Sequence, residues 1–109
     1  MTYTIKTLTD AHGETLYNVP AEPEILMKMG FNAQQAVEMC HAAEQEARWA
    51  HIRAERDSTL SQTDFTQVGD APMTEDKQRE FATYRQALRD LPQQFSNPNE
   101  VIWPPRPTL

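Results

Sequence analysis

Residues 49–65 read WAHIRAERDSTLSQTDF. They form the second part of the segment, residues 33–65, that decides the expected fold. The stretch begins after Asn32, a good helix N-cap, and its helix-favouring composition includes no glycine or proline. Thr63 and Asp64 mark its end. We therefore predict one long helix that runs from residue 33 to about residue 60 and ends at this polar pair.

A second helical segment follows, and it reads TEDKQREFATYRQALRDL over residues 74–91. Thr74 is suited to cap this helix, and Glu75 and Asp76 lie in its positively polarised first turn. Pro92 is predicted to close it, because proline cannot donate a backbone hydrogen bond to the preceding turn.

Each predicted helix carries an apolar stripe. The first helix presents Trp49, Ile52 and Leu60, which helical spacing places on one face. The stripe of the second helix consists of Phe81, Tyr84, Leu88 and Leu91. We expect the two stripes to pack on each other, which produces an antiparallel helical hairpin.

The N-terminal residues predict a β-hairpin. Apolar and polar side chains alternate over residues 3–9, turn-forming residues follow at positions 10–13, and residues 15–19 again favour a strand. A short helix can begin at Pro23 and end at Gly30.

The C-terminal segment reads VIWPPRP over residues 101–107, and its prolines favour an extended conformation. A small domain needs every large apolar side chain, so Trp103 is expected to be a plug that closes the core. The alternative is a presented peptide in which Trp103 and Pro104 contact a partner.

Together these elements predict a mainly α protein with a small N-terminal β-hairpin, which is an α+β class. The antiparallel helical hairpin is closed by the extended Trp-Pro tail. We expect residues 1–30 to hold the β-hairpin and short helix, and residues 31–109 to form the helical hairpin domain.

Small side chains recur every three or four residues along the first long helix. They form a narrow stripe that lets another helix approach closely, which predicts a homo-oligomer through Ala36, Cys40, Ala43 and Ala47. Alanine is also the strongest helix former, and the same stripe suits packing against the β-hairpin of the same chain. The sequence supports the two interpretations equally.

Arginine and aspartate side chains cluster where the two long helices are expected to meet. An unpaired guanidinium is costly to bury, so the arginines on or beside the apolar faces need acidic partners. We predict a cross-helix network that sets the register of the helices more than it adds stability. Its members are Arg53, Arg56, Asp57, Asp64, Arg85, Arg89 and Asp90.

Four phrases stand out in the second half of the chain: WxxxRAERDxxLxQTDF, GDAPMT, YRQALRDLPQQ and VIWPPRP. They resemble the tail assembly chaperone family of bacteriophages, in which a short two-helix unit is bounded by a TDW-like turn and closed by a hydrophobic-Trp-Pro tail. The resemblance covers a little over half of the chain, from Trp49 to Pro107. Phe65 stands where the family more often has tryptophan.

This resemblance implies a protein that binds a phage tail or tail-fibre polypeptide while it assembles. The aromatic residues Trp49, Phe65, Tyr84 and Trp103 would cover an aggregation-prone part of that client. The alternative is a structural subunit that is retained in the phage tail, baseplate or fibre. Copurification with finished particles would distinguish the two.

The composition argues against other classes of function. The 109 residues carry 16 acidic and 10 basic side chains, and the net charge of −6 opposes binding to nucleic acid or to an anionic membrane. Cys40 and His41 are adjacent and diverge on a helix, so no metal site is predicted. The sequence has no catalytic motif and no phosphate-binding loop, so we expect neither an enzyme nor a cofactor.

The expected location is the host cytoplasm during phage assembly, with the virion as the alternative. The N-terminus has no signal-peptide pattern, and no segment approaches the roughly 20 apolar residues that span a bilayer.

Overall fold

The computed structural model of the protein describes residues 3–109. It is mainly helical, with a two-stranded antiparallel N-terminal hairpin, so the predicted α+β class is confirmed. The elements in chain order are β1 Thr4–Thr9, β2 Thr15–Pro20, α1 Pro23–Lys28, α2 Ala33–Thr63 and α3 Glu75–Gln94. Short 3-10 helices cover Asp64–Gln67 and Pro98–Glu100.

The chain divides into two compact units, one that ends at Arg48 and one that starts at Trp49. This boundary lies inside α2, whereas the sequence-based division into residues 1–30 and 31–109 follows the turn at Gly30. The two divisions differ because the first turns of α2 pack with the hairpin, and a turn signal in the sequence does not report that packing.

The hairpin in the first unit is closed by a turn around Asp10. One carboxylate oxygen of Asp10 accepts hydrogen bonds from the backbone N–H groups of His12 and Glu14, both at 2.9 Å. Gly13 has a φ of +82°, a conformation that glycine adopts without a steric penalty. The strands then pair in register, for example Leu8 with Leu16.

The first unit has its own apolar cluster, formed by Leu8, Val19, Leu26 and Ala36. Leu26 and Ala36 are completely buried. Leu26 belongs to α1, which Pro23 begins, and the chain leaves that helix through Gly30 at a φ of +105°. The cluster therefore joins the hairpin to α1 and to the start of α2.

The N-terminus of α2 is held by a reciprocal cap. The side chain of Asn32 accepts a hydrogen bond from the backbone N–H of Gln35 at 2.8 Å, and the side chain of Gln35 accepts one from the backbone N–H of Asn32 at 3.0 Å. This is the capping-box arrangement, and it confirms Asn32 as the predicted N-cap. No helix within the described residues has both the length and the apolar character that a bilayer span requires.

Replacing Asn32 with alanine is expected to lower the free energy of unfolding by about 1 kcal/mol, because the backbone N–H of Gln35 at the start of α2 loses its side-chain acceptor. Urea denaturation followed by far-UV circular dichroism measures the change. The control is Gln34→Ala in the same exposed first turn, which should leave stability within about 0.5 kcal/mol of the wild type. Equal losses in the two variants would contradict the capping role.

The second unit is organised around α3. The side chain of Thr74 accepts a hydrogen bond from the backbone N–H of Lys77 at 3.1 Å, which confirms Thr74 as the N-cap. The prediction that Pro92 closes this helix was wrong, because α3 continues to Gln94. Proline removes one hydrogen bond from the last turn, yet Leu91 and Phe95 on either side both pack into the apolar core.

The apolar core of the second unit lies on one face of α3. Phe81, Tyr84, Leu88 and Leu91 form the buried cluster, as the predicted stripe requires. The partly buried side chains packed against it are Leu60, Met73, Phe95 and Val101. The cluster thus collects the end of α2, the loop before α3 and the chain that follows α3.

The end of α2 and the turn that follows it are hydrogen-bonded to α3. The carbonyl oxygen of Leu60, near the end of α2, accepts a hydrogen bond from Arg85 in the middle of α3. Farther along the chain, the carbonyl oxygen of Val68 accepts one from the side chain of Gln78 near the start of α3 at 3.0 Å. Later residues of the first segment therefore meet earlier residues of α3, an order that fits the predicted antiparallel hairpin. Of the predicted α2 stripe, Leu60 packs against the α3 cluster, and the cluster does not include Trp49 or Ile52.

Candidate partner-binding site

Arg85 is a buried charged side chain of the second unit, only 7% exposed. Its Nη1 donates to the carbonyl oxygen of Leu60 at 2.6 Å and to Oγ1 of Thr63 at 2.8 Å, and its Nη2 donates to Oδ1 of Asp64 at 2.7 Å. Carbonyl groups in the last turn of a helix lack intrahelical donors. Arg85 therefore caps the C-terminus of α2 from a different helix and fixes the two helices to each other.

Two threonines complete this junction. Thr63 and Thr66 are completely buried, and each hydroxyl donates to a backbone carbonyl: Thr63 to Thr59 at 2.8 Å, and Thr66 to Thr63 at 2.6 Å. Their burial was not predicted from the sequence, because hydroxyl side chains at a helix end usually face solvent. The QTDFT phrase is the signal that marks this place, since it puts polar residues at positions 62, 63, 64 and 66, where the chain leaves the helix.

The predicted cross-helix network is reduced to this one junction. Within residues 3–109, Arg53 makes no ion pair, and Arg56 pairs instead with its neighbour Asp57 at 3.0 Å. Asp57 is exposed, as is Arg53, so water solvates these charges and no buried partner is needed. Their predicted pairing across the helices was therefore wrong.

The C-terminal half of α3 also lacks the predicted cross-helix ion pairs among the described residues. Arg89 is exposed and forms no ion pair within the described part of the chain. Asp90 accepts a hydrogen bond from Gln86 on the same helix at 3.0 Å. Arg85 and Arg89 lie one turn apart, yet only Arg85 contacts the end of α2, so Arg89 is not part of the junction.

The aromatic residues of the predicted site differ in exposure. Tyr84 is buried in the α3 cluster, and Trp49 is partly buried. Phe65 remains 43% exposed and Trp103 38% exposed. Trp103 is therefore not a fully buried plug, and the predicted closure is made instead by Val101 and Phe95, which pack on the cluster.

Large exposed apolar side chains occur in two places in the second unit. Phe65 and Val68 form the turn group, in and directly after the 3-10 helix that follows α2. Ile102, Trp103 and Leu109 form the tail group in the extended C-terminal segment. Burying large exposed apolar side chains in a complex releases water from them, which favours binding of a partner.

An open groove lies between α3 and the tail. Tyr84 and Ala87 contribute to its α3 side, with Asp76, Arg79, Glu80 and Thr83, and residues 104–108 form the other side. Pro104, a predicted partner contact, is partly buried and lines this groove. The groove combines an apolar floor with charged side chains of both signs near the start of α3.

The small-residue stripe on α2 is divided by burial. Ala36 and Ala43 are buried, Cys40 packs partly buried against the first cluster, and Ala47 is exposed. Ala36 is thus occupied by its own chain and is not available to a second copy, which corrects its predicted role in a homo-oligomer. Burial, and then the negative charge of Glu22, raises the pKa of the Cys40 thiol, so this group stays protonated at neutral pH.

The described residues do not assemble a metal site. Within residues 3–109, no three histidine, cysteine, aspartate or glutamate side chains are grouped closely enough to hold a metal ion.

The fold and the site define a small α+β protein whose second unit is a two-helix structure tied by a buried arginine and flanked by a proline-rich tail. Residues 49–108 match the family model described as phage tail assembly chaperone protein, and the chain belongs to this family. The match begins at Trp49, where the second compact unit also begins. No curated protein and no solved structure matches the chain.

Membership of this family indicates a role in phage tail assembly and implies binding to phage tail proteins. The family resemblance found in the four sequence phrases is thereby confirmed.

Proposed function

We propose that the protein binds a phage tail or tail-fibre polypeptide stoichiometrically during assembly and shields apolar surface of that client. The binding takes place in the host cytoplasm and ends when the client's own subunits replace the chaperone. The proposal involves no chemical step and no cofactor, because it needs only the removal of apolar surface from water.

The observation that carries the proposal is the pair of exposed apolar groups in the second unit. The turn group and the tail group both lie outside the buried cluster of the same unit, so the core does not depend on them. Burying a large apolar side chain contributes about 1.5 to 3 kcal/mol. Contacts at both groups therefore supply a substantial part of the free energy that a stable complex with a client requires.

The experiment that tests the proposal is the mass of the purified protein by light scattering, with and without a coexpressed candidate tail-fibre protein. A monomer that forms a soluble complex of defined stoichiometry with the fibre protein is the expected result. A stable homo-oligomer that ignores the fibre protein would contradict it.

Trp103→Ala is expected to weaken the complex with the tail-fibre protein by about tenfold or more, because an exposed tryptophan is a frequent energetic centre of protein interfaces. Isothermal titration calorimetry on the coexpressed pair, separated and remixed, measures the change. The matched control is Tyr17→Ala, an exposed aromatic residue in the first unit and outside the family region. If both variants bind as the wild type does, the tail group is not a client contact.

The second candidate function is a structural subunit that is retained in the tail, baseplate or fibre. Ala47, Ala50 and Ala54 favour it, because they are exposed on α2 at a spacing that suits close helix packing. Mass spectrometry of purified particles distinguishes the two functions. A structural subunit remains in finished particles at a fixed copy number, whereas a chaperone is depleted from them.

A further inference from the structure

We propose that residues 101–109 form a releasable strap, which lies along α3 in the folded protein and detaches while α2 and α3 remain folded. The strap is defined by the sequence VIWPPRPTL. Its release is a property of the free protein, so the inference stands or falls independently of which client is bound.

The first reason to expect release is that the backbone of the strap lacks hydrogen bonds. Within the described residues, no backbone hydrogen bond involves residues 101–109, and the last one before them joins the N–H of Glu100 to the carbonyl of Asn97. Three of the nine strap residues are prolines, which cannot donate such a bond. Detaching the strap therefore breaks no backbone hydrogen bond, unlike the opening of any turn of α2 or α3.

The side chains of the strap provide few restraints. Val101 packs on the α3 cluster, and Nη1 of Arg106 donates to Oε1 of Gln62 at 3.3 Å on the exposed surface. Ile102 is 75% exposed and Leu109 is 80% exposed. Val101 thus anchors the start of the strap, Trp103, Pro104 and Pro107 are partly covered, and one long, solvated hydrogen bond lies near its end.

The open groove between the strap and α3 is the second reason to expect release. Residues 104–108 border the open groove above Tyr84 and Ala87 and leave it unfilled. Close-packed contacts hold a segment firmly, whereas a segment beside an unfilled groove forfeits part of that attraction. When the strap leaves, the groove widens and Tyr84 gains exposure, while Phe81, Leu88 and Leu91 remain on the inner face of the cluster.

Two single-tryptophan variants test the strap. Trp49→Phe leaves Trp103 as a reporter in the strap, and Trp103→Phe leaves Trp49 as a reporter in α2. Urea is titrated into each variant, and tryptophan emission is compared with helical circular dichroism. We expect the Trp103 emission to change at a lower urea concentration than the helical signal, and the Trp49 emission to change together with it. Coincidence of all three transitions would overturn the proposal.

Gln62→Ala sharpens the test, since it removes the partner of Arg106 on an exposed surface. It is expected to move the Trp103 transition to lower urea and to leave the helical midpoint unchanged. A parallel shift of both would show that the strap is part of the cooperative fold. A spin label on Leu109→Cys in a Cys40→Ser background gives the same comparison without altering either tryptophan, so misfolding of Trp49→Phe does not prevent the measurement.

Discussion

Replacing Phe81 with alanine is expected to lower the free energy of unfolding by about 3 to 5 kcal/mol. Phe81 is 1% exposed and lies in the buried cluster of α3 with Tyr84, Leu88 and Leu91. Truncation removes the transfer free energy of the ring and leaves a cavity that the surrounding helices fill only in part. Urea denaturation followed by circular dichroism measures the loss.

Phe65→Ala is the matched control, because the same atoms are deleted from a side chain that is 43% exposed in the turn group. It should change stability by less than about 1 kcal/mol, yet it removes one of the proposed client contacts. If Phe65→Ala destabilises the protein as much as Phe81→Ala does, the assignment of Phe65 to the binding surface fails.

Arg85→Ala is expected to cost about 3 kcal/mol of stability. The substitution removes the arginine donor from the carbonyl of Leu60 and from the buried hydroxyl of Thr63. The remaining bonds are those from the Thr63 hydroxyl to the carbonyls of Thr59 and Leu60, at 2.8 and 3.3 Å. Asp64 contributes less to this figure, because its side chain is 66% exposed and water replaces the arginine there. Thermal and urea unfolding of the purified variant measure the effect.

Arg89→Ala provides the comparison, since Arg89 lies one turn away on the same helix and is exposed. Its substitution should leave stability within about 0.5 kcal/mol of the wild type. Asp64→Asn should also be mild and should keep most of the junction. An Arg85→Ala variant as stable as Arg89→Ala would mean that the junction does not hold α2 and α3 together.

The predictions for Phe81 and Arg85 assign much of the stability of the family region to a small set of interactions. The apolar cluster buries the large side chains of α3, and the arginine junction links the end of α2 to α3. The turn group and the tail group lie outside both. Under the proposed function, this separation lets contacts with the client change without loss of the fold.

Much of the fold was readable from local chemistry. Asn32 and Thr74 are caps whose partners lie three residues away, so neither needed tertiary information. The stripe that includes Phe81 and Leu88 follows from helical periodicity. The predicted end of α3 at Pro92 was wrong, because the helix continues to Gln94. Leu91 and Phe95 pack into the core there, and that packing involves residues distant in the sequence.

The candidate site was less predictable. Arg53, Arg85 and Arg89 share a residue type and a helical setting, and a pattern of charges along a helix does not distinguish the buried one from the exposed ones. Trp103 was expected to close the core on the basis of its size, whereas the smaller Val101 packs there. Size predicts how much a side chain gains by burial, and chain geometry decides which side chain reaches the core.

The sequence by itself determined the hairpin, the helices with their caps, the apolar stripes and the family, because each is encoded by spacing within a few turns or by a recognisable phrase. Only the tertiary structure decided that Arg85 ties α2 to α3, that Ala36 is used within its own chain, and that Trp103 stays partly exposed. The physical reason is that burial depends on which distant parts of the chain pack against a residue, and local periodicity does not encode those tertiary contacts.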